Sequence, residues 1–180
     1  WCVGCVWGLA FIRDNPLFNS LSGYKNFKVS IGDIREPIIP EIMKENKVKT
    51  VFHFAAHLPY APPNPDFVGV NLKGTLNMLE SAYKNGVEEF IYASTKSVYS
   101  EPPEYLPMNE EHPTQPSNIY GSTKLAGEFI CRSFTDEMRI TILRIIGAYG
   151  VGMDRGRTLA KFIQYALTNQ PLPIFGNENN

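Results

Sequence analysis

Tyr120 and Lys124 stand four residues apart, a spacing that sets both on one face of a helix. A phenol is a poor base near neutrality, its reference pKa lying at about 10, and a cation beside it favours the phenolate. Thr95 adds a hydroxyl able to hold a substrate oxygen against that phenol. Together the three form an acid/base set that takes or returns a proton at an oxygen while a nicotinamide ring takes or gives a hydride. Ala55 and Ala56 are small enough to let a cofactor pass close to the backbone. Each feature alone has a plainer reading. Tyr-x-x-x-Lys also describes an exposed helix face, Thr95 a good strand former, Asp33 the opening of a turn after Gly32, and Asn71 a solvated helix residue.

Order and placement favour the chemical reading. Apolar runs rich in β-branched residues predict strands at 27–34 (FKVSIGDI), 50–56 (TVFHFAA), 89–95 (EFIYAST) and 139–146 (RITILRII). Helical spacing predicts helices over 37–46, with Pro37 in the first turn, and over 66–85, with Gly86 as the C-cap glycine. Two more are predicted over 117–134, with Ser117 as N-cap, and over 158–168. A Pro-rich acidic loop fills 101–116, and 172–175 reads as a short strand. Strands alternating with helices imply an α/β fold, a doubly wound parallel sheet of the Rossmann type. Ligands in such sheets sit beyond the carboxyl ends of the strands. Asp33, the 53–57 run, Thr95 and the Tyr120 helix all fall at those ends.

Composition narrows the class. The 180 residues are 43% hydrophobic and 19% charged with net charge −1, which excludes the basic surface of a nucleic-acid binder. No apolar run reaches the roughly 20 residues that span a bilayer. Three cysteines argue against a disulfide framework and for a reducing, cytoplasmic setting. Cys2 and Cys5 form a lone Cys-x-x-Cys without a second pair, so no metal site is expected. The chain opens on Trp1 in WCVGCVWGLAFI, which reads as a buried strand truncated at its start, and hence as a piece of a longer protein.

The segments GDIRE, VFHFAA, VNLKGTLNMLESA, FIYASTKSVYS, YGSTKLAGE and LRIIGAYG resemble the extended short-chain dehydrogenase/reductase family, and within it the NAD-dependent epimerase/dehydratase group typified by UDP-glucose 4-epimerase. The resemblance implies a catalytic set of Thr95, Tyr120 and Lys124, with Tyr120 as acid/base and Lys124 also bonded to the nicotinamide ribose. It implies cofactor contacts from Asp33 and Ile34 at the adenine, from Phe54, Ala55, Ala56 and Ala93 along the cofactor's path, from Asn71 in support, and from Ile146. Thr95, Tyr120 and Gly147 would meet the substrate. Residues 1–150 would be a partial dinucleotide-binding domain, and 151–180 the start of a truncated substrate-binding region.

By the same resemblance the cofactor is NAD, with NADP not excluded, and the substrate a UDP- or dTDP-sugar. Dehydratases of the family place Asp-Glu after the catalytic Thr; Lys96 and Ser97 stand there instead. That favours a 4-epimerase, with a 4,6-dehydratase or 4-reductase as the alternative and an inactive dinucleotide-binding or partial gene product as an alternative of another class. Three departures stand against the pattern. The Gly-rich phosphate loop is reduced to Gly4 and Gly8, Phe18 stands where an acidic residue is expected, and Gly147 stands where Asn is common. The fragment is therefore expected to bind NAD weakly or not at all. The full-length protein is expected to be a homodimer through the 66–85 and 117–134 helices, with Leu125, Phe129 and Ile130 either in that contact or facing the sheet.

Overall fold

Three β-branched and aromatic runs form a parallel sheet ordered β1-β2-β3, with β1 at Thr50–His53, β2 at Glu89–Thr95 and β3 at Arg139–Ile145. The computed structural model describes residues 32–58, 66–150 and 158–172. In the register, Val51 lies beside Phe90 and Phe90 beside Ile140. Parallel neighbours need crossover connections. α1 (Ile39–Glu45) precedes β1, α2 (Thr75–Lys84) joins β1 to β2, and α3 (Ile119–Arg132) joins β2 to β3. This is the Rossmann-type arrangement expected. The chain divides into two compact units at Ile146/Gly147; in the second, α4 spans Thr158–Leu167.

Strand alternation decides which side chains meet the helices. Val51, Phe90, Tyr92, Ile140 and Ile142 join Met78, Leu79 and Ala82 of α2, Cys131 of α3 and Ile39 and Met43 of α1 in one apolar cluster. On the other sheet face Phe52, Leu143 and Ile145 are partly exposed among the described residues.

The element bounds differ from expectation in instructive ways. β1 stops at His53, and 54–58 carry no regular structure, because Asn71 takes both backbone groups of His57: its Oδ1 accepts from His57 N at 2.7 Å and its Nδ2 donates to His57 O at 3.2 Å. α3 is capped by Asn118, not Ser117; the Asn118 Oδ1 accepts from Gly121 N at 2.9 Å. The helix before β2 opens with a six-residue π-turn, Gly69–Gly74, which apolar periodicity does not announce. Gly86 is left-handed at φ 66°, directly after the C-cap Asn85, as its position predicted. Of the two outer strands expected, Gly32 to Ile34 and Leu172 are not strand. The rest of both, with Cys2, Cys5, Gly4, Gly8 and Phe18, lies outside the described residues.

Two glycines on α3 set how closely it approaches its neighbours. A Cβ on Gly121 would collide with the Ser97 carbonyl oxygen, and one on Gly127 with the Tyr92 phenol. α3 therefore rests directly on the Lys96–Val98 turn that follows β2 and on the Tyr92 ring.

Candidate active site

β2 ends at Thr95, whose Oγ1 accepts from Ser97 N at 3.2 Å and thereby opens the 96–98 turn. Thr95 is 9% exposed. Because Gly121 lets α3 sit on that turn, Tyr120 comes near enough for the Thr95 hydroxyl to favour its phenolate. Burial pushes the Tyr120 pKa up, and the Thr95 hydroxyl opposes that. The expected depression by Lys124 is absent, for a geometric reason. The Lys124 Nζ stands over the face of Tyr92, 4.1 Å from the ring centroid.

Lys124 is 2% exposed. No hydrogen bond or ion pair engages its Nζ among the described residues. Burial lowers its pKa to about 8, against a smaller raising influence of Cys131 and Glu128. On the β1 side lies His53, also 2% exposed, pushed down to about 3 by burial and by the Lys124 charge. Thr75 Oγ1 donates its one proton to Asn71 O at 2.8 Å, so the His53 Nε2 at 2.9 Å must be the donor in their bond. Neutral His53 thus braces Thr75, and Thr75 braces the π-turn.

That turn delivers Asn71. π-turns are rare and concentrate at functional sites. Asn71 is 1% exposed, and beyond its two bonds to His57 its Nδ2 donates to Thr123 Oγ1 at 3.1 Å. Thr123 Oγ1 in turn donates to Tyr120 O at 2.9 Å. One carboxamide therefore ties the segment after β1, the start of α2 and the first turn of α3 into one rim.

The remaining expected residues divide between this rim and its flanks. Ala55 and Ala56 are half-buried and Phe54 exposed in the segment that Asn71 holds. Ala93 is buried one residue pair before Thr95 on the same side of β2. The Asp33 carboxylate accepts from Arg35 N at 2.8 Å and from the Arg35 guanidinium, which also reaches Asp66 at 2.8 Å. Ile34 is a core residue packed against Gly74, its carbonyl accepting from Asn77. Ile146 is exposed at the end of the first unit, and Gly147, left-handed at φ 51°, opens the second. A cavity of 490 Å³ is lined by Tyr99, Met108, Arg132, Arg144 and Ile146 among others, and by none of Thr95, Tyr120 or Lys124.

One cluster went unforeseen. Glu128, fully buried, accepts from Ser94 Oγ at 2.5 Å and from Arg144 at 2.8 and 3.0 Å. Its signal was present, since Glu128 follows Lys124 by one helical turn and so faces the same strands. Among the described residues, no group of His, Cys, Asp and Glu is placed to hold a metal, and no helix is long and apolar enough to cross a membrane.

Residues 11–180 match the model of the NAD dependent epimerase/dehydratase family. The chain belongs to that family. Members of the epimerase/dehydratase family are enzymes, and two relatives show their range. A Methanocaldococcus jannaschii protein provisionally named UDP-glucose 4-epimerase is 34% identical over 82% of this chain and 51% of its own length. The dTDP-D-glucose 4,6-dehydratase of Mus musculus is 32% identical over 87% of this chain and 46% of its own. The UDP-glucuronic acid 4-epimerase of Bacillus cereus, solved with UDP-glucuronic acid and NAD, superposes with a TM-score of 0.75 at 26% identity, over 93% of this chain and 54% of that one. The chain thus spans about half the length of the relatives it matches.

Proposed function

We propose that the chain carries the catalytic rim of an NAD-dependent nucleotide-sugar 4-epimerase. The observation that supports this most is the first turn of α3, which carries Tyr120, packed on the turn that follows Thr95, with a buried Lys124 ammonium one helical turn along that no carboxylate engages among the described residues. Buried cations are paired unless something else requires them, and a hydroxylated cofactor would supply the missing acceptors. In this reading Thr95 holds the oxygen on sugar C4, Tyr120 takes and returns its proton, Lys124 bonds the nicotinamide ribose, and Asn71 keeps the rim in register. Ala55, Ala56 and Ala93 leave space for the dinucleotide, Asp33 and Ile34 flank its adenine, and Ile146 and Gly147 follow β3 toward the sugar. NAD, when bound, supplies the acceptor and donor of hydride.

Epimerisation is favoured over water loss because the two positions after Thr95 carry no carboxyl group. Lys96 is exposed and pairs with Glu101 at 4.0 Å, and Ser97 faces the Thr95 hydroxyl at 3.4 Å. Neither supplies the acid/base pair that removal of water at C5 and C6 needs. The exposed Leu76, Tyr83 and Phe129 on α2 and α3 support a homodimer; Ile130 packs inward against the core and does not contribute. The test is to incubate the full-length protein with NAD and UDP-glucose and follow the anomeric protons by NMR. Interconversion at C4 without net NADH, lost in Tyr120→Phe, is the expected result. A 4-keto-6-deoxy product would replace the epimerase by a dehydratase, and no conversion with no NAD binding would sink the enzymatic reading for this chain.

A further inference from the structure

Lys124 poses a physical problem that its proposed role does not solve. Holding a lysine ammonium in a buried position costs free energy unless something opposes the loss of water. The usual solution is a carboxylate, and one is near. Glu128 lies one turn along α3, but its two oxygens are taken by Ser94 and by the bidentate Arg144 guanidinium. What lies under the Lys124 Nζ instead is the face of Tyr92, 4.1 Å from the ring centroid, well inside the reach of a cation–π attraction.

The Tyr92 ring is built to stay there. It is fully buried, and its phenol donates to Lys124 O at 3.3 Å. Gly127 offers no Cβ, which would otherwise collide with that phenol. Among the described residues the groups facing the ammonium from each packed element are His53 on β1, Tyr92 on β2, and Glu128 and Cys131 on α3. His53 is held neutral and Cys131 is pushed up to about 12, so neither supplies a counter-charge.

We infer that Tyr92 is a positioning residue for Lys124: its ring face carries the ammonium in place of a carboxylate and so leaves the three N–H donors available to a ligand's hydroxyl groups. A carboxylate in the same place would draw those donors into an ion pair and spend them within the protein. The ring attracts the charge without accepting along the donor directions a ribose needs. The inference rests on the proposed function for its ligand, but the contact itself is tested without one.

The experiment replaces Tyr92 by Phe and then by mono-, di- and trifluorinated Phe, which keep the ring's shape while draining its face of negative potential. The titration of Lys124 is read from the 13Cε shift of labelled lysine, assigned with Lys124→Arg. The Lys124 pKa is expected to fall stepwise, by roughly half a unit to one unit across the series. A flat series overturns the inference. The unsubstituted chain gives a second reading, since ε-methylene protons over a ring face must be shifted upfield. If they resonate where solvated lysines do, the inference fails whatever the variants' stability. NAD titration separates the two proposals: a stepwise series in a chain that binds no NAD keeps the Tyr92 platform and discards the cofactor site.

Discussion

Two charges on α3, one turn apart, are buried in opposite ways. Glu128 is saturated: Ser94, the Arg144 fork and Arg132 at 3.6 Å surround it, and Arg144 spends its remaining arm on Glu110 O at 2.9 Å. Lys124 has the face of a ring and, among the described residues, no acceptor. The same helix, packed on the same strands, thus carries one charge surrounded by hydrogen-bonding partners and another that has none among the described residues. Saturation marks the residue that fastens α3 to β2 and β3. Its absence is what the proposed role of Lys124 requires.

The comparison breaks most visibly at the saturated end. Glu128→Ala leaves the Arg144 guanidinium buried without its carboxylate, and urea denaturation should show a loss of about 3–5 kcal/mol. The neighbourhood of Lys124 comes next. His53 binds a proton in the unfolded chain near its reference pKa of 6.5 but in the folded one only near 3. Its contribution is present above pH 6.5 and is lost as pH falls toward 3. Melting temperature against pH should show a fall worth about 2–4 kcal/mol in that window beyond the fall in His53→Gln. The opposite sign is expected at Lys124 itself. Its folded pKa of about 8 lies below the ordinary lysine value of 10.5, so the charged form opposes folding, fully below pH 8 and less as pH rises toward 10.5. Lys124→Met should stabilise the chain at neutral pH by about 1–3 kcal/mol and remove any NAD binding, measured by melting and by titration calorimetry. An exposed control sharpens the scale. Lys84→Gln, which removes an i,i+4 pair with Glu80 at 3.4 Å, should change stability by no more than about 0.5 kcal/mol.

Reading the sequence went furthest where one physical rule acts alone. EFIYAST is a strand from its first residue to its last because β-branched and aromatic residues alternate under a covering helix. Gly86 terminates α2 because a left-handed residue is needed there. The approach of the start of α3 to the turn after Thr95 was legible from parallel topology, which brings strand ends to one rim. The side chains' pairings were not, because they depend on separations between elements. Lys124 turns to Tyr92 only because Gly127 admits the phenol, and α3 reaches Ser97 only because Gly121 has no Cβ. The sequence offers Ser117 and Asn118 as equally good caps, and the choice falls to whichever backbone turns toward Gly121 N.

The π-turn at Gly69–Gly74 carries a consequence for how this segment can vary. A π-turn holds one residue more than the α-helical turn it replaces, and each residue advances a helix by about 100°. Excising a single residue there, Lys73 for instance, would let the turn relax to ordinary pitch and swing Asn71 around the axis, away from both His57 and Thr123. Lys73 is exposed and its side chain open to replacement, but the length of the stretch is fixed, so a lineage that shortened it by one position would lose the hinge pin of the rim while keeping every other residue of the site.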